Sequence, residues 1–94
     1  MSVAMTYGNM GLVYYNLGNF EKALEMHEKD LEIKLKTVGP LHASVADTKL
    51  NIGIVYSNKG DQAAAKAFYR EAYDIYLRYF GPDHPKTTGL APFI

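Results

Sequence analysis

The residues with chemical reach are few. His27-Glu28-Lys29-Asp30 sets an imidazole beside carboxylates, the residue types of proton transfer and metal binding. No second His follows at metal spacing, so the run carries no metal signature. His42 and His84 stand in equivalent Gly-Pro-x-His stretches, and their repetition points to a structural loop role, capping the helix that follows. Gly8-x-x-Gly11 is no dinucleotide fingerprint, because no strand precedes it. No phosphate loop, activated serine or paired carboxylate constellation is present, so the expectation is no catalytic residue, no metal and no cofactor. Glu21, Glu25, Glu28, Lys29 and Glu32 fit a solvated helix face. That leaves amides: Asn9, Asn16, Asn51 and Asn58, each a donor and acceptor able to pair with a peptide backbone whatever its side chains, or else to cap or bridge neighbouring helices.

Those amides recur in register, and the register comes from duplication. Shifting the 94-residue chain by 42 positions aligns residues 3–44 with 45–86 without a gap and leaves 15 of the 42 pairs identical, Asn9/Asn51 and Asn16/Asn58 among them. Chance would give about two or three, so the chain is read as two repeats, 3–44 and 45–86, with 87–94 a tail or an aborted next repeat. Each repeat reads as two helices, over 3–17 and 20–38, then over 45–59 and 62–80. Met10, Val13, Tyr14 and Leu17 share a face at helical spacing, as do Ile52, Val55 and Tyr56. A second stripe is Phe20, Ala23, Leu24, His27, Leu31 and Val38. Gly18-Asn19 and Gly60-Asp61 stop one helix and cap the next across a connection too short for anything but an antiparallel hairpin. Gly39-Pro40 and Gly81-Pro82 end the second helices. Gly11 and Gly53, each costly mid-helix, imply a close helix crossing, with Ala23 and Ala65 expected opposite.

Tyr7-x-x-Met10-Gly11-x-x-Tyr14 with Gly18, Phe20 and Ala23, and Ile52-Gly53-x-x-Tyr56 with Gly60, Ala65, Tyr69 and Ala72, resemble the tetratricopeptide signature. The period of 42 rather than about 34 is similar to the long repeats of kinesin light chains and of arrays appended to signalling ATPases. His27, Asp30, Lys49 and Gln62 depart from the pattern. The resemblance implies an all-α fold, an α-solenoid of two antiparallel helix-turn-helix hairpins, acting as a protein-interaction module. It also implies a concave groove built from the first helices: Met5, Gly8, Asn9, Leu12, Tyr15 and Asn16, then Asp47, Leu50, Asn51, Ile54, Ser57 and Asn58. Lys49 and Lys59 are the only basic residues of the second repeat's first helix, so a neutral peptide with apolar anchors at Leu12, Tyr15 and Ile54 fits better than a carboxylate clamp.

The last helix is apolar around much of its girth, and Gly89 and Pro92 argue against a third helix. An open face at Tyr69, Tyr73, Tyr76 and Phe80 is therefore expected. Self-association as a homodimer or continuation into a longer array would cover it, and either gives a structural alternative to peptide binding; in a monomer the face stays open or the 87–94 tail folds back over it. Lys+Arg and Asp+Glu are both 10, a balance that disfavours nucleic acid. Absent cysteine, no membrane-length apolar run, and no basic-then-apolar leader in residues 1–7 make the cytoplasm the expected location.

Overall fold

A computed structural model describes residues 3–94; Met1 and Ser2, where the leader reading begins, lie outside the described residues. Five α-helices follow one another: α1 Val3–Asn16, α2 Phe20–Thr37, α3 Ala43–Lys59, α4 Gln62–Phe80 and α5 Pro85–Leu90, with a 3-10 turn at Ala91–Phe93. No strand is present among the described residues. The four long helices pair as two antiparallel hairpins, α1 with α2 and α3 with α4, and α3 also packs on α2.

Local chemistry sets the hairpin bends. Gly60 takes φ +93°, a left-handed conformation that a Cβ would strain, and Gly18 does the same at +77°. The following amide then reaches back: Asn19 N–H donates to the Tyr14 carbonyl and Asp61 N–H to the Tyr56 carbonyl, each at 2.9 Å. The same Asn19 and Asp61 cap the next helix, their Oδ1 atoms accepting from Lys22 N at 3.3 Å and Ala64 N at 3.1 Å. His42 and His84 also act as caps, Nδ1 accepting from Ser44 N at 3.0 Å and from Lys86 N at 3.1 Å.

The small residues mark the crossings: Ala65 stands opposite Gly53 as expected, and rings join at both glycines. A Cβ on Gly11 would stand 2.6 Å from His27 Cε1, and one on Gly53 would stand 2.8 Å from Tyr69 Cε1 and 3.2 Å from the Ala65 carbonyl. The rings of His27 and Tyr69, one turn beyond Ala23 and Ala65, are thus what the glycines admit. A second exchange compensates between the copies. Leu50 packs against the cluster that holds Ala72 in repeat two, whereas Gly8 in repeat one leaves room for Asp30, whose Oδ2 lies 2.9 Å from where a Gly8 Cβ would be.

Two apolar clusters lie between successive layers. Ala23, Leu24, Ile52 and Val55 join α2 to α3, flanked by Tyr14, Phe20, Tyr56 and Phe68. Val45, Ala46, Ala72, Ile75, Tyr76 and Leu90 join α3, α4 and α5. The second cluster closes the tyrosine face with the tail, the alternative to an open face. Tyr76 is 2% exposed, Tyr69 packs on Phe93 and Phe80 stacks on His84 at 3.9 Å between centroids. A third helix does form, for one and a half turns. Pro85 sits at its first turn, where the missing N–H costs nothing, and the buried Thr87 and Leu90 hold it against the preceding layer.

Candidate functional site

Helices α1 and α3 both pack on α2, and among the described residues a single hydrogen bond near their C-terminal ends links them. Tyr15 of α1 meets Asn58 of α3, whose amide donates to the Tyr15 hydroxyl at 3.1 Å and to the Ile54 carbonyl at 2.8 Å. Asn58 is therefore spent within the fold. Asn9, Leu12 and Asn16 are exposed, while Leu50, Asn51 and Ile54 are half-buried. Among the described residues the Asn9, Asn16 and Asn51 amides take no hydrogen-bond partner, which leaves both their donor and acceptor capacity for a ligand. The four asparagines do not converge. Asn51 and Leu50 line one groove and Asn9 lines another.

The larger groove, about 500 Å³, runs between α3 and α5. Asp47, Leu50 and Asn51 form one wall. Pro85, Lys86, Gly89, Leu90 and Phe93 form the other, and Tyr76 makes the floor. Sequence reasoning missed the whole second wall. Its signal was present: His84-Pro85 repeats the capping place of His42-Ala43, so a helix start was encoded. The two breakers downstream outweighed it in that reading.

The floor is a tied network. The Tyr76 hydroxyl donates to Asp47 Oδ1, and Lys86 Nζ donates to the same oxygen at 3.0 Å while standing 5.7 Å from the centre of the Tyr76 ring. Burial, then the Asp47 hydrogen bond and charge, push the Tyr76 hydroxyl well above the ordinary phenol range. Tyr76 is thus a neutral donor fixed to Asp47, and Lys86 is neutralised at the rim. The groove offers apolar surface from Leu50, Leu90 and Phe93, an open amide from Asn51 and one balanced ion pair. Such a set carries binding groups and no activated nucleophile.

Lys49 and Lys59 do not enter the groove. Lys49 pairs with Glu71 at 3.2 Å and Lys59 with Glu21, both across helices. The cation that lines it is Lys86, from the helix that sequence reasoning left out.

The tetratricopeptide-repeat family profile matches residues 2–78. The chain belongs to the tetratricopeptide-repeat family. Such repeats serve in general as protein-interaction scaffolds rather than catalysts. Among solved structures the fold is similar to the crystal structure of BtubC (BKLC) from P. vanneervenii, with a TM-score of 0.84 at 22% identity over 94% of this chain. The match spans 35% of that longer protein. No curated protein matches the sequence. Within the described residues no helix is long and apolar enough to cross a membrane, and no group of three or more His, Asp or Glu is placed to hold a metal ion.

Proposed function

We propose that this tetratricopeptide domain holds a short, uncharged, extended peptide of a partner protein in the groove between α3 and α5, with the Asn51 amide pairing to the peptide backbone. The observation that carries this reading is the Asn51 amide, open on the wall of a groove whose other charged and polar groups are already paired. Leu50, Leu90 and Phe93 supply the apolar anchors beside it. Leu12, Tyr15 and Ile54 extend the same face along α1 and α3. On this reading the protein works in the cytoplasm, without cofactor or metal.

A library of displayed peptides panned against the chain supplies the probe. Replacing Asn51 by Ala is expected to weaken the enriched peptides about tenfold, the worth of one or two hydrogen bonds. Helicity and melting should stay unchanged, because the amide supports nothing in the fold. Equal affinity of the Asn51→Ala variant in titration calorimetry would remove the groove from consideration.

The alternative reading is a structural segment of a longer array or a self-associating module. The observation in its favour is the exposed apolar side of α1, far from the groove.

A further inference from the structure

The Asp47–Lys86 pair of the α3–α5 groove is balanced in charge but not used up. Asp47 Oδ1 accepts from both the Tyr76 hydroxyl and Lys86 Nζ, while Oδ2 meets no protein donor among the described residues. Lys86 Nζ gives one of its three N–H bonds to Asp47 and finds no other protein acceptor among them. The two side chains are 42% and 48% exposed, and both line the groove. The pair therefore presents an open acceptor beside open donors. Asn51, one turn further along α3, presents the same two functions on a single amide.

Spacing makes these two sets act together. Four residues of α-helix rise about 6 Å, so Asp47 and Asn51 stand about that far apart on one face. In an extended chain the N–H and C=O of one residue point to the same edge, and the next residue to use that edge is two further on, about 6.6–6.8 Å away. A strand laid along α3 thus brings one residue's N–H and C=O to Asn51. It brings those of the residue two away to Asp47 and Lys86. An ionic ligand group would gain from one member of the pair and be repelled by the other, which is bonded to it at 3.0 Å. A neutral N–H with its C=O meets no such opposition. The row ends after two sets, because the Asn58 amide is spent on Tyr15 and Ile54. Nor is it duplicated, because Met5 and Ser44 stand one repeat earlier at the places of Asp47 and Lys86.

We infer that this groove reads the peptide backbone at two residues spaced two apart, one on Asn51 and one on Asp47 Oδ2 with Lys86 Nζ. The inference rests on the peptide reading proposed above and adds its register. The partner segment is chosen for two free N–H groups on one edge rather than for a charged side chain. Proline is excluded at those two residues, since it has no N–H, and is tolerated at the residue between them.

The probe is a peptide enriched by panning, remade as a series in which each backbone N–H in turn is replaced by an ester oxygen. Titration calorimetry on the intact chain should find two replacements that weaken binding about tenfold each, two residues apart, with the one between them near the parent. In Asn51→Ala one of the two positions should fall silent. In Asp47→Ala, made together with Tyr76→Phe so that no buried hydroxyl loses its acceptor, the other should. One sensitive position, two at another spacing, or enriched peptides with proline at either residue would overturn the inference and leave the Asn51 contact standing. Equal binding by Asn51→Ala and the parent chain would overturn both.

Discussion

His27 shows how one side chain can carry a pH response without any catalytic part. It is fully buried against Gly11, and neither ring nitrogen has a protein partner among the described residues. Burial lowers its pKa below the ordinary value of about 6.5, and this outweighs the attraction of Asp30; the Lys34 charge pushes the same way as burial. Lys34 is held in turn, donating to Thr48 Oγ1 at 2.8 Å and lying 3.4 Å from Asp30 Oδ2. A lowered histidine pKa means that the unfolded chain takes up the proton first on acidification. Stability is full above about pH 6.5, falls as pH drops toward the folded-state pKa, and levels off below it, with a slope of at most about 1.4 kcal/mol per pH unit. Urea unfolding at pH 7.5 and 5.5 measures that loss. In His27→Tyr, which places the residue type of Tyr69 at the equivalent position, most of the difference should vanish. An unchanged difference would assign it to other groups.

At the scale of the helices, two glycines in regular helix predict opposite outcomes. A methyl at Gly53 relieves about 1 kcal/mol of helix cost but drives into the Tyr69 ring and the Ala65 carbonyl, and overpacking of a crossing costs about 1–3 kcal/mol. The backbone oxygen cannot swing aside, so Gly53→Ala is expected to destabilise by about 1–2 kcal/mol. Gly89 in α5 has nothing within 4 Å of its Cβ position, and Gly89→Ala should stabilise by about 0.5 kcal/mol. Thermal melts of the pair test both signs at once. Helix α5 itself carries weight beyond its length, because Leu90 is buried in the α4 cluster. Leu90→Ala should cost about 2–3 kcal/mol. Removing 85–94 should uncover Tyr76, Tyr69 and Phe80, and the truncated chain should then run as a dimer or larger in light scattering at concentrations where the 94-residue chain is smaller.

For the molecule as a whole, the duplication makes the two ends comparable and shows them to be unlike. The α4 end carries Gln62 and Lys66 where α2 has Phe20 and Leu24, and it is closed by a short helix and turn. The α1 end keeps the apolar stripe of an inner layer. Stability should respond to whatever covers α1: anything bound there raises it with the logarithm of one plus its concentration over its Kd. The groove at the far side stays independent, since no residue lines both surfaces.

The sequence by itself determined the duplication, the all-α class and the bends, because these rest on local rules: glycine for a left-handed turn, Asn, Asp or His for a cap, and apolar spacing for a face. The boundaries of α2 and α4 followed from the same signals to within a residue. Only the tertiary structure decided the fate of the last ten residues and of the tyrosines before them. Gly89 and Pro92 are breakers in isolation, yet burial of Thr87 and Leu90 on an apolar helix outweighs a propensity cost of about 1 kcal/mol. It also decided which asparagines are open. The repeat places Asn9, Asn16, Asn51 and Asn58 alike, but Asn58 alone meets Tyr15 across the hairpins, because repeat one has a tyrosine where repeat two has Ser57. A contact between residues 43 apart depends on how the layers stack, and no local pattern encodes it.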